Sequence, residues 1–365
     1  MRLGKDSKIL KKTATLTFQN TENYGALLQA YALQKKLLSM GVENEVLNYH
    51  CEYLGKPYGF SALKRKGVIR YFLGIAYSLV RIPRKANFKK FRSLIKMTRA
   101  LRLDDLNSLN ESFDAFIAGS DQVWNDSITN FDSSYYLDFV DSPEKKMSYA
   151  ASFGFETIPE NLKTKYRELL KEFSIFNMRE ESGVKNIEML LNKSANLVLD
   201  PTMLLTREEW EKVSTPSVRK NKYILVYQTT TSSFLVNIVK KLSISTGYKV
   251  ICIPFPLGGF LKSRLELTAG PSEWIGLIRD AEIVITDSFH GSAFSILYNK
   301  EFYVCLTDGA TRITNLLNLF TLNNRICNEY PKLDLNEKIN WDRVNKKLIE
   351  ERHKSVECLE AMLKY

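Results

Sequence analysis

Residues 281–295 read Ala281-Glu-Ile-Val-Ile-Thr-Asp-Ser-Phe-His-Gly-Ser-Ala-Phe-Ser295. The β-branched run Ile283-Val-Ile285 predicts a short buried strand. A tight polar turn follows, and then small residues that suit a helix start. Strand, turn and helix in such close succession are the elements of an α/β fold. His290 lies on the turn, and the chain has only two other histidines, His50 and His353. Such folds place ligands and proton-transfer groups at the carboxyl ends of strands. The N–H groups at the start of the following helix also favour an anion. One segment therefore offers a titratable group and an anion seat together.

Working outward, strands alternate with helices along the whole chain. Thr13–Phe18, Glu45–Tyr49, Phe113–Ala118, Lys146–Ser152, Phe173–Met178 and Leu197–Leu199 read as strands, and Tyr24–Met40 as a helix stopped by Gly41. Thr215–Lys222 is polar and contains Pro216, as a linker would be. The pattern then resumes with strands at Tyr223–Gln228, Tyr248–Ile253, Ile283–Thr286 and Phe302–Leu306. The helices between and after them are expected at Ser232–Ser245, Pro271–Asp280 and Ile313–Leu319. Trp341–Leu363 reads as one long amphipathic helix. The expected architecture is two doubly wound, Rossmann-like domains facing a cleft, of GT-B-like form. Residues 1–213 make the first domain, 222–340 the second, and 341–365 a helix packing back on the first.

Composition excludes several classes. A chain of 365 residues, 44% hydrophobic and 25% charged, has ordinary globular chemistry. The start, Met-Arg-Leu-Gly-Lys-Asp-Ser, lacks the apolar centre of a signal peptide, and no apolar run is long enough to span a bilayer. The five cysteines are scattered without a CxxC pair, which predicts reduced thiols of a cytoplasmic protein and no metal site. The net charge is +11, and its excess concentrates in residues 56–102, where no acidic side chain occurs. That stretch reads as a basic helical insertion of the first domain, with the apolar run Val68–Val80 inside it. Cations flanking an apolar segment suit peripheral contact with the anionic inner face of a membrane. They equally suit a packed helix with a solvated basic neighbour. No recognition motif for nucleic acid accompanies the charge.

Three further polar turns carry candidate chemistry. Asn23-Tyr-Gly25 lies at the mouth of the first helix, where Gly25 permits close backbone approach to a ligand. In Gly119-Ser-Asp-Gln-Val-Trp-Asn125, Asp121 and Gln122 suit sugar hydroxyls, while Trp124 suits the core. Arg179 follows an apolar strand, so its planar fork would suit a carboxylate or phosphate. A surface Arg–Glu pair is the plainer alternative.

Taken together, Asn23-Tyr-Gly-Ala-Leu-Leu-Gln-Ala-Tyr-Ala-Leu-Gln34, Phe116-Ile-Ala-Gly-Ser-Asp-Gln-Val-Trp-Asn125, Arg179-Glu180, Leu199-Asp-Pro-Thr202 and Thr286–Ser295 resemble the polysaccharide pyruvyl transferase family. The resemblance extends over nearly the whole length. It implies a GT-B-like fold and transfer of a pyruvyl-derived group from phosphoenolpyruvate to sugar hydroxyls, giving a pyruvate ketal and phosphate. It implies His290 as the catalytic proton-transfer residue. The implied donor ligands are Arg179, Ser288, Gly291 and Ser292, with Arg312 or Lys300 as further cations. Asn23, Tyr24, Gly25, Asp121 and Gln122 would bind the acceptor, and Asp287 would orient the histidine or equally cap the following helix. Some relatives carry an arginine two residues before the histidine, where this chain has Ser288. No cofactor and no metal is expected. Two other functions fit the same architecture, a sugar-nucleotide glycosyltransferase and a non-catalytic glycan-binding subunit.

Overall fold

The computed structural model describes residues 10–54, 79–219, 221–229, 233–253, 264–306, 310–327 and 337–364. Most of the apolar run expected at Val68–Val80 lies outside them. Two compact units emerge, each an α/β layer structure around its own parallel sheet.

The first sheet has seven strands: β1 (Lys12–Leu16), β2 (Glu43–Tyr49), β3 (Met97–Leu101), β4 (Ala115–Ala118), β5 (Lys146–Ala151), β6 (Ile175–Met178) and β7 (Asn196–Leu197). Their order is β3-β2-β1-β4-β5-β6-β7, and every pairing is parallel. The second sheet has β8 (Tyr223–Tyr227), β9 (Lys249–Ile253), β10 (Arg264–Leu265), β11 (Ile283–Thr286) and β12 (Glu301–Val304) in the order β10-β9-β8-β11-β12, also all parallel. In both sheets the chain winds outward from the centre one way and then the other. That reversal leaves a crevice at the carboxyl ends of β1 and β4, and another at those of β8 and β11. Strands buried on both faces must be apolar throughout. Accordingly Ala115–Ala118 and Tyr223–Tyr227 are buried at every residue.

Helices α1 (Tyr24–Ser39), α2 (Ile82–Arg92), α3 (Lys163–Leu170) and α4 (Glu181–Leu191) precede the second sheet. Between the strands of the second sheet lie α5 (Ser233–Thr246), α6 (Pro271–Arg279) and α7 (Phe289–Leu297), and after it come α8 (Thr311–Leu319) and α9 (Trp341–Leu363). The core of the first unit is strongly aromatic. Trp124 is fully buried, stacks near Tyr136, and donates its indole N–H to the Tyr135 carbonyl at 3.1 Å. In the second unit, Phe294 of α7 meets Trp210 and Trp274, each at 5.0 Å between ring centroids. Those contacts fix the helix that carries His290. Burial raises the thiols of Cys252, Cys305 and Cys327 to about 12, so these cysteines stay protonated core residues.

Unit membership differs from the linear division read from the sequence. The first unit comprises Met1–Gly55, Arg92–Leu205 and Leu348–Tyr365, and the second Lys56–Phe91 and Thr206–Lys347. Helix α2 belongs with the second unit because Arg84 donates to the Ala269 carbonyl at 3.3 Å and Asn87 to that of Thr268 at 3.0 Å. The basic stretch is also not helical to residue 102. Residues 97–101 instead form edge strand β3, whose backbone pairs with β2, Val46 against Met97 and Asn48 against Ala100. Helix α9 is divided, its first turns counting with the second unit and the remainder with the first. Leu359, Met362 and Leu363 join Leu33, Leu37 and Ile117 in one apolar cluster.

Candidate active site

In the second unit, β11 ends at Thr286 and Asp287-Ser288 form the turn. Ser288 has extended backbone (φ −108°, ψ 136°), and its Oγ accepts the Gly291 N–H at 3.4 Å. That side-chain cap starts α7 at Phe289. His290 therefore sits within the first helical turn, not on the loop expected from the sequence. Its ring is largely buried and stands edge-on to Phe289, 5.2 Å between centroids. Asp287 Oδ1 accepts the Thr229 N–H at 2.5 Å, which fastens the loop after β8 to the loop after β11. Asp287 thus ties the two sides of the crevice together and steadies the turn that leads to His290.

Two expected donor ligands have structural duties instead. A Cβ on Gly291 would lie 2.4 Å from Thr286 Oγ1 and 3.0 Å from Thr286 Cβ, so glycine is what lets the helix start close on the strand end. Ser292 is fully buried, and its hydroxyl donates to the Ser288 carbonyl at 3.1 Å. Gly291→Ala is expected to cost about 1–3 kcal/mol by overpacking. Urea unfolding of the variant checks this, and an unchanged midpoint would mean the strand end yields freely. Of the two further cations, Arg312 lies in the first turn of α8, which follows the carboxyl end of β12 and so shares the edge where α7 begins. Lys300 precedes β12 and lies at the opposite edge of the sheet. Burial lowers its ammonium pKa, against opposing attraction from Glu282 and Asp280. It does not serve the edge that bears His290.

In the first unit, the polar loops converge on the carboxyl ends of the central strands. Asn23 is exposed and caps α1, accepting the Ala26 N–H at 3.3 Å. Tyr24 and Gly25 are buried in the packing of α1, so neither presents itself to an acceptor as expected. Asp121 adopts a left-handed conformation (φ 79°) and accepts the Gln122 N–H at 3.0 Å. Asp tolerates this region better than most residues. Gln122 Oε1 accepts from Asn125 Nδ2 at 2.7 Å, and its side chain lies against Gly154. A small open pocket near the ends of β1 and β2, lined by Phe18, Gln19, Tyr49, His50 and Tyr135 among others, escaped the sequence reading.

Arg179 departs furthest from expectation. Its side chain is 1% exposed, with Asp200 at 2.9 Å, Glu180 at 3.7 Å and Asp121 at 3.8 Å. Burial lowers its pKa, but the carboxylates of Asp200, Glu180 and Asp121 outweigh that and raise it. Asp200 also accepts from the Ser120 hydroxyl at 2.9 Å and from the Thr202 N–H and hydroxyl at 2.9 and 2.7 Å. Ser152 donates to Glu180 at 2.6 Å, and Thr17 to the Ser120 carbonyl at 2.8 Å. One buried network thus joins the loops after β1, β4, β5, β6 and β7. The Arg179 fork faces protein carboxylates, not an open anion site. Ser120, Ser152 and Asp200 were missed as members. The only local signal was Asp200-Pro-Thr202, an acidic residue placed to cap its own turn.

A family model described as polysaccharide pyruvyl transferase matches residues 23–309. No curated protein matches the chain. Among solved structures, UDP-GlcNAc 2-epimerase from Methanocaldococcus jannaschii is similar at a TM-score of 0.51 and 12% identity, covering 93% of this chain and 92% of that one. A UDP co-structure of S. aureus MnaA is similar at 0.50 and 12% identity, covering 95% of this chain and 91% of that one. At such identity the likeness shows the fold alone, an α/β fold of GT-B-like form. The family match spans both crevice-lining loop sets and ends beyond the His290 signature. By that match, the chain belongs to the polysaccharide pyruvyl transferase family.

Proposed function

We propose that the protein transfers a pyruvyl group from phosphoenolpyruvate to a sugar of a surface polysaccharide or its precursor, forming a pyruvate ketal. The observation that carries this reading is the placement of His290. It stands in the first turn of the helix after β11, at the chain reversal of the second sheet, inside a sequence matched by the family. Helix N–H groups there favour an anion. Arg312, in the first turn of the helix that follows β12 on the same edge, is the candidate cation for the donor. Ser288 at the helix mouth remains a candidate donor contact.

In the proposed reaction, protonated His290 delivers a proton to the methylene carbon, which becomes a methyl group. One sugar hydroxyl attacks the central carbon. The carbon–oxygen bond to phosphate then breaks, and a second hydroxyl of the same sugar closes the ketal. The two hydroxyl protons balance the proton taken from His290 and the proton carried by the departing phosphate. The acceptor would meet Asp121 and Gln122 at the crevice of the first sheet. It would be linked to a nucleotide or to a lipid, with the enzyme in the cytoplasm and in peripheral contact with the inner membrane face. Among the described residues no helix is long and apolar enough to cross a membrane.

Phosphate release from phosphoenolpyruvate, measured against a panel of nucleotide-linked and lipid-linked sugars, tests the reading. Acceptor-dependent release with a matching mass gain on the sugar is expected. Release of the nucleotide from a nucleotide sugar instead, or glycan binding without any turnover, would replace it with one of the two other functions.

A further inference from the structure

Helix α2 has two sharply different faces. Arg84, Phe88 and Phe91 recur at helical spacing and are buried. The Arg84 guanidinium lies over the Phe88 ring at 4.8 Å and donates to the Ala269 carbonyl. The opposite face carries Ile82, Lys85, Ala86, Lys89 and Lys90, at positions i, i+3, i+4, i+7 and i+8, and all are exposed. Ile82 is 57% exposed, and Leu79 and Val80 just before the helix are 59% and 49% exposed. No acidic side chain occurs between residues 56 and 103.

We propose that this outward face of α2 docks on an anionic lipid leaflet. The pattern meets both physical requirements of such docking, exposed apolar side chains to enter the headgroup boundary and lysines beside them to meet anionic headgroups. A nucleic-acid surface would need the cations, but it gives no reason for exposed Leu79, Val80 and Ile82. The inner face is already fixed by contacts within the second unit, so docking requires no refolding of the helix. The proposal rests on the reading of a lipid-linked acceptor for its purpose, because docking would bring the enzyme to that acceptor.

Co-sedimentation of the full chain with vesicles tests it without any turnover. Its failure would leave the transfer reading standing, and failure of transfer would leave docking standing. The vesicles are phosphatidylcholine alone and phosphatidylcholine mixed with phosphatidylglycerol, each at low and high salt. Binding is expected only to the anionic vesicles, weakened by salt. Lys85→Gln combined with Lys89→Gln should lower it by about 30-fold, as two charges at the membrane surface would. Ile82→Ser should lower it further at both salt concentrations. Unchanged thermal midpoints in these exposed-site variants establish that the loss is not unfolding. Equal binding to both vesicle types, or full binding by the double variant, would overturn the proposal. So would salt-sensitive binding of mixed-sequence duplex DNA with no vesicle binding.

Discussion

His290→Gln is expected to lower acceptor-dependent phosphate release by at least about a hundredfold, the lower end of what a positioned general acid contributes. Glutamine keeps polarity and approximate size in a largely buried position, and it cannot deliver a proton. The helix start that holds the residue depends on the Ser288 cap and on Gly291 against Thr286, neither of which the substitution touches. Donor affinity by calorimetry and the thermal midpoint should therefore move little. Loss of turnover with donor binding retained assigns proton transfer to the imidazole. Turnover within a few-fold of the parent would show that another group protonates the methylene carbon. Loss of binding together with turnover would make His290 a donor ligand instead.

Arg179→Met should destabilise the first unit by about 3–5 kcal/mol, the usual consequence of removing one partner from a buried ion pair. The side chain is 1% exposed and faces Asp200, Glu180 and Asp121. Without the guanidinium, these carboxylates are left buried beside one another, and protonation or water entry must compensate. Because Arg179 and Asp200 share one network, adding Asp200→Asn should cost less than the sum of the two single changes, by about 1–3 kcal/mol. Arg179→Lys keeps the charge but not the planar fork, and it should fall between the parent and the methionine variant. Urea unfolding of the parent, the three single variants and the double variant measures these differences. Parent-like stability in Arg179→Met, with weakened donor binding, would return the arginine to the donor-binding role that the sequence alone suggested.

Much of the fold was legible in the chain. The run Ile283-Val-Ile285, the buried stretch at 115–118 and the apolar repeat through α1 each announce their element by period and residue type. Parallel sheets bury both faces of a strand, so such strands appear as short continuous apolar runs. Edge strand β3 was not legible. Met97-Thr-Arg-Ala-Leu101 is basic and only partly buried, and it is a strand because the β2 backbone offers it hydrogen bonds. Nothing within those five residues records that partner. The membership of α2 was hidden for the same reason, since its anchoring carbonyls belong to Thr268 and Ala269, far along the chain.

The candidate site divides along the same line. By itself, the sequence marked which loops are candidates for the chemistry, because in such folds ligands bind at the carboxyl ends of the strands. It marked Asp121 and Gln122, the His290 turn and Arg179. Only the tertiary structure decided which way those residues face. Gly291, Ser292 and Arg179 turn inward because each fits a partner from another part of the fold or a neighbouring turn. For Gly291 it is Thr286, for Ser292 the Ser288 carbonyl, and for Arg179 three carboxylates from separate loops. A polar side chain in a turn is equally suited to a ligand or to a buried protein partner. The choice between them depends on groups brought close only when the sheet assembles.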